Sequence, residues 1–175
     1  MRSRKRSTYE KHGDLFFITT TVVGFIEIFK QEQLCEILIK YLKAYQERGD
    51  YSIIAYILMP DHIHLILKTA KNKSISRVMG NLKRITSREI SNWLNNDGEK
   101  VLINELKEMA KLEPSVDCKI WKPRFDSLVL TKEETLIQKI EYIHNNPVKK
   151  MLVEEQTDWL YSSARNYAGI SDNKI

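Results

Sequence analysis

Two runs of strand-forming residues lie back to back near the middle of the chain, and the break between them limits what the chain can fold into. Tyr51 to Leu58 and His62 to Lys68 are rich in isoleucine, leucine and other residues that suit a pleated surface. Met59-Pro60-Asp61 separates them. Proline cannot donate to a strand ladder, so the first run must end there. A break this short predicts two adjacent antiparallel strands.

The flanking segments alternate in period. Leu15 to Val23 reads as a first strand, with Phe, Ile, Thr and Val. From Gln31 to Arg48 the spacing turns helical: Leu34, Leu38, Tyr41, Leu42 and Tyr45 share one face, and Gly49-Asp50 stops the helix. Ser74 to Leu94 predicts a second helix, with a stripe of Ile75, Val78, Met79, Leu82, Ile85, Ile90 and Trp93. Asn95 to Glu113 is polar and acidic with some helical character, and reads as a peripheral insertion. Asp126 to Leu130 is a last short strand. Thr131-x-x-Glu134 has the form of a capping box. It opens a helix through Leu136, Ile137, Ile140 and Ile143 that ends near Asn146-Pro147. The order predicts an α+β chain: a ferredoxin-like or RRM-like β-α-β-β-α-β sheet with an additional C-terminal helix. Such a sheet packs its helices on one face and leaves the other for a site. The chain divides into a basic arm at 1–12, one domain over 13–153 and a C-terminal extension over 154–175.

Composition narrows the class. The 175 residues carry a formal charge of +5, which favours a polyanionic partner. Arg2, Arg4, Lys5 and Arg6 crowd the N-terminus, as an arm on nucleic acid or as a solvated tail. The two cysteines, Cys35 and Cys118, form no CxxC pair, so a disulfide scaffold is not expected and Cys35 reads as a buried thiol. No apolar run approaches the roughly 20 residues of a membrane span, and no signal peptide is legible. A cytoplasmic protein is expected.

The chemistry sits in Met59-Pro60-Asp61-His62-Ile63-His64-Leu65. His62 and His64 are two apart on a strand, so both point to one face while Ile63 and Leu65 point to the other. The chain has only four histidines. Side by side on an open sheet face, two imidazoles can chelate one metal ion; the alternative is a pair of exposed strand histidines. The last helix offers a nucleophile and a further ligand in Tyr142 and Asn146, four apart on one face. Tyr142 lies roughly opposite the apolar stripe centred on Ile140; the alternative is an ordinary surface tyrosine. On the second helix Arg77, Asn81, Arg84 and Arg88 fall opposite the apolar stripe, as a basic ridge or a solvated face.

The segments MPDHIHLIL and EYIHNNPVKKMLV together resemble the two signatures of HUH single-tyrosine transposases of the IS200-like superfamily, in particular REP-associated tyrosine transposases. Phe16-Phe17-Ile18-Thr19-Thr20, Trp121-Lys122-Pro123-Arg124-Phe125-Asp126 and Trp159-Leu160-Tyr161-Ser162-Ser163-Ala164-Arg165 extend the resemblance to about nine-tenths of the chain. It implies a metal-dependent single-stranded DNA endonuclease and strand transferase that recognises DNA hairpins and cleaves through a 5′-phosphotyrosine. It makes Tyr142 the catalytic nucleophile, and His62, His64 and Asn146 the ligands of Mg²⁺ or Mn²⁺. Arg77, Lys83, Arg84, Arg88, Lys122 and Arg124 become candidate phosphate contacts; Trp121 and Phe125 could stack on bases, although such aromatics are more often core residues. His144 is left as a helix-end or DNA-contact residue. Some relatives act as homodimers and others as monomers, and the sequence leaves both open. The chain departs from the family pattern after NPVK, where a small residue and a glycine are usual and Lys150-Met151 stands instead. The competing reading is a catalytically inactive, RRM-like nucleic-acid-binding protein.

Overall fold

The break at Pro60 builds the centre of the sheet. In the computed structural model, which describes residues 15–71, 73–111, 119–170 and 174–175, β1 spans Leu15–Thr21, β2 Tyr51–Met59, β3 His62–Thr69 and β4 Asp126–Val129. The strands lie in the order β2-β3-β1-β4, each antiparallel to its neighbours. This is the ferredoxin-like arrangement the pattern predicts. The basic N-terminal arm and Cys118 lie outside the described residues.

Helices α1 (Glu32–Glu47) and α2 (Ile75–Asn96) cover one sheet face. Leu34, Leu38 and Leu42 of α1 and Val78, Met79 and Leu82 of α2 are buried against Ile63, Leu65 and Leu67 of β3 and Phe16 and Ile18 of β1. Ser74 caps α2, its hydroxyl accepting from the Arg77 N–H. Cys35 is a buried free thiol whose Sγ donates to the Phe29 carbonyl, and burial pushes its pKa up to about 12.

Two expectations need correction, and Trp121 takes the core alternative. The 95–113 stretch is not merely peripheral: it forms a helix, α3 (Lys100–Lys111), that buries Leu106 and Ile103 in the main core. The moderate number of apolar residues there hides a short inward face. The capping box does not form. The next helix, α4 (Glu133–His144), has Lys132 at its N-cap with no side-chain hydrogen bond, so Thr131 lies one residue too early to cap it. Glu133 and Glu134 instead place negative charge in the first turn. Trp121 is a core residue: it is buried, and its Nε1–H donates to Thr86 Oγ1 at 2.9 Å.

The second sheet face is not bare. Ile143 of α4 packs with Ala55, Ile57, Met59 and Ile66 in a smaller core. The chain then returns along the outer edge of β2. Trp159 Nε1–H donates to the Leu58 carbonyl, the Leu58 N–H to the Tyr161 carbonyl, and the Ser163 N–H to the Tyr56 carbonyl. Those contacts satisfy an edge strand that would otherwise pair with other chains. No helix among the described residues is long and apolar enough to cross a membrane.

Asp50 joins α1 to β2 from a buried position, paired with Arg48 and, at 2.8 Å, with Lys73. Burial acts to raise its pKa, but the hydrogen bonds and charges of Arg48 and Lys73 outweigh it and hold the carboxyl below its ordinary value. A carboxylate with a depressed folded-state pKa stabilises the fold above its unfolded pKa, near 3.9, and that contribution is lost as pH falls through the lower folded value. Asp50→Asn is therefore expected to reduce stability at pH 7 and to flatten the loss of stability below about pH 4, read as urea midpoints against pH. An unchanged acid limb in the variant contradicts this assignment.

Candidate active site

The alternation of β3 decides the site. With Ile63 and Leu65 locked into the core, His62 and His64 must face α4. Their ring centroids are 4.7 Å apart. The ladder register sets Thr19 opposite His64 and Thr21 opposite His62.

Each imidazole is held by a second group. Asp61 Oδ1 accepts from His62 Nδ1 at 2.6 Å. Thr19 Oγ1 and His64 Nδ1 share a hydrogen bond of 2.8 Å. With Nδ1 so engaged, the Nε2 lone pair of His62 is the one left to bind an electrophile. The His64 ring is buried and stacks on Phe17 with centroids 5.5 Å apart. Burial lowers its pKa to about 3, with the neighbouring His62 and Lys139 acting in the same direction and Asp61 opposing. At neutral pH His64 is thus an uncharged imidazole, not a cation.

Helix α4 brings the phenol to this pair. The Tyr142 ring lies edge-on to His64, with centroids 5.4 Å apart, and edge-on to Phe17 at 6.0 Å. Tyr142 is 39% exposed, so one side faces the sheet and the other is open to a substrate. Lys139, one turn earlier, and Lys149 place ammonium groups 5.3 and 5.6 Å from the Tyr142 ring centroid. His62, His64 and Tyr142 therefore meet within one chain. Asn146 does not lie on the same helix as Tyr142. Helix α4 ends at His144, and Asn146, which is buried, begins a short helix α5 (Asn146–Lys149) with Pro147 in its first turn. Proline suits that position because its missing N–H has no helical partner there. Among the described residues no three histidine, cysteine, aspartate or glutamate side chains converge as a metal site. An ion on this face would hold the two imidazoles and complete its shell with a carboxamide or with substrate oxygens.

His144 takes the helix-end reading, as the last residue of α4. It is buried, its Nε2 lies 2.8 Å from Ser163 Oγ, and its ring packs on Tyr167. Burial lowers its pKa to about 4. Arg77, Arg84 and Arg88 are exposed along α2, on the far side of the sheet from the histidines; Arg88 pairs with Glu89. The Lys83 ammonium donates to the carbonyls of Lys122 and Pro123, at 2.6 and 3.1 Å, and so pins the 122–124 segment to α2. Arg124 is exposed, and Lys122 lies over the ring of Phe25. The groups missed by sequence reasoning are Asp61, Thr19, Phe17, Lys139, Lys149 and Phe25. Asp61 adjoins His62 and Lys139 precedes Tyr142 by three, so both were within reach of spacing rules. Thr19 and Phe17 required the strand register.

Residues 26–146 match the family described as transposase, IS200 like. A REP-associated tyrosine transposase of Haemophilus influenzae is 26% identical over 152 residues, covering 86% of this chain and 80% of that protein. Among solved structures, that of a REP-associated tyrosine transposase bound to a REP hairpin superposes with a TM-score of 0.61 at 22% identity, covering 96% of this chain and 86% of the other.

The departure after NPVK leaves the turn intact. The Leu152 N–H donates to the Pro147 carbonyl and the Met151 N–H to the Val148 carbonyl, a Schellman closure. Met151 takes the left-handed conformation, φ 56°, that glycine adopts without strain, and its side chain is 91% exposed. Met151→Gly is therefore expected to stabilise the chain by about 1 kcal/mol, the left-handed cost removed less the added flexibility of the unfolded state. Chemical denaturation checks it; a fall in stability contradicts it.

Proposed function

Because the chain belongs to the IS200-like transposase family, we propose that it cuts and rejoins single-stranded DNA beside a hairpin, using Tyr142 as nucleophile. The observation that carries this reading is the approach of the Tyr142 ring to His64, 5.4 Å between centroids, across β3 and α4 of a single chain.

Two imidazoles with their Nδ1 atoms already engaged suit a divalent cation, and Mn²⁺ accepts nitrogen ligands more readily than Mg²⁺ does. His62 and His64 would hold the ion, with Asn146 as a further oxygen donor. When bound, it supplies Lewis-acid polarisation of the scissile phosphate. The chain's own residues do the rest. Asp61 and Thr19 fix the ring orientations. Lys139 and Lys149 give positive charge beside the phenol, where the phosphate must sit. Attack by Tyr142 Oη forms the tyrosine–phosphorus bond and breaks the bond from phosphorus to the 3′-oxygen. The phenol loses its proton, the departing 3′-oxygen gains one, and the DNA stays linked through a 5′-phosphotyrosine. Attack by another 3′-hydroxyl reverses the step and joins a new end, so no external energy source is needed. The hairpin-bound relative supports a hairpin as the partner.

Incubation with a hairpin oligonucleotide carrying single-stranded flanks, in Mn²⁺ or Mg²⁺, is expected to give a protein–DNA adduct that survives denaturing electrophoresis. Chelation should abolish it. Tyr142→Phe should form none. His62→Ala should lose at least about a hundredfold in rate while retaining most hairpin affinity. An adduct formed by Tyr142→Phe would overturn the reading. A second expectation follows from the site meeting within one chain: mixing Tyr142→Phe with His62→Ala chains should restore no cleavage. Recovery on mixing would instead mean that tyrosine and histidines come from different subunits.

A further inference from the structure

Beside the histidine face runs a groove of about 760 Å³, walled at one end by Thr19 and Thr21 and at the other by Phe25, Lys119, Lys122 and Arg124. Thr19 and Thr21 are the ladder partners of His64 and His62, so the groove opens onto the candidate active site. Its wall carries an unusual ring. Phe25 is 61% exposed and holds φ at +59°, a conformation that bulky residues rarely take. Gly24 before it is also left-handed, and a Cβ there would lie 2.6 Å from Met109 Cγ. Helix α3 thus braces the turn that presents Phe25. A strained aromatic held out to solvent points to use, not packing. Above the ring sits the Lys122 ammonium, 3.2 Å from its centroid.

We propose that this groove is a nucleotide subsite, in which Phe25 stacks an unpaired base of the DNA strand next to the scissile phosphate while Lys122 and Arg124 meet its phosphates. The proposal rests on the reading of His62, His64 and Tyr142 as the cleavage centre. An exposed ring beside cations that track toward that centre is the pattern single strands require, since every base offers a stacking face and every link a negative charge. Among the described residues Asp126 is the one carboxylate lining the groove, at the start of β4 where it pairs with Thr19.

The test uses the full chain and two probes: a blunt DNA hairpin, and the same hairpin with oligothymidine flanks bearing a single 2-aminopurine at successive positions. Binding should quench the 2-aminopurine at a position near the cut. Phe25→Gly, which relieves the positive φ, should keep or raise thermal stability, lose the quench and weaken binding to the flanked hairpin about tenfold, leaving the blunt hairpin unaffected. Phe25→Trp should keep the quench. Lys122→Ala should lower the salt dependence of flanked-hairpin binding by about 0.7 in log–log slope. Wild-type quench and affinity in Phe25→Gly would overturn the subsite, as would equal loss on both probes. Adduct formation is read in parallel. An adduct with no dependence on Phe25 removes the subsite alone; Phe25-dependent quenching without any adduct removes the cleavage reading and leaves the subsite.

Discussion

The two-residue alternation of β3 is the constraint on which the rest depends. Ile63, Leu65 and Leu67 are buried between the sheet and its helices, and a one-residue slip of register would turn every one of them out and both histidines in. The cost of exposing that apolar surface, on the order of 2 kcal/mol per side chain, fixes the strand. The same packing that stabilises the fold therefore aims His62 and His64. Thr19 completes the arrangement from β1, because the antiparallel ladder sets it opposite His64.

Against this rigid strand the phenol arrives on a more lightly held element. Helix α4 buries only Ile143 and His144, with Leu136 and Ile140 partly so. What ties the end of the chain down is the return along β2, through Trp159, Tyr161 and Ser163, together with the His144–Ser163 contact at the end of α4. The C-terminal segment thus does two things: it covers the sheet edge and braces the helix that carries Tyr142. The 122–124 segment is similarly braced, by Lys83, at the mouth of the groove that leads to the histidines.

The sheet and its two main helices were legible because their periods are clean: Leu34, Leu38 and Leu42 on α1, and the alternating β3 run. The facing of the histidine pair was legible for the same reason. Helix α3 was not, since its inward face is carried by few residues among many charges. The place of Trp121 stayed open between core and stacking because its indole is satisfied by Thr86, thirty-five residues earlier, which no local pattern reveals. Asn146 falls past a helix boundary that Pro147 blurs, so the four-residue spacing from Tyr142 overstated their shared face. Phe25 was invisible as a site residue because its exposure depends on a left-handed turn wedged against Met109. In each case the lost information is a contact across the fold, whereas the retained information is a repeat within one element.

The proposed cleavage requires imidazoles and phenol to share one face within one chain, and manganese paramagnetism measures that sharing most directly. With ring-labelled histidine and tyrosine in the full-length protein, substoichiometric Mn²⁺ should broaden the NMR signals of His62, His64 and Tyr142 ahead of all other labelled rings, including His144 and Tyr167. His64→Ala should remove the selectivity. Broadening centred on other rings, or on the histidines with Tyr142 left sharp, would contradict it.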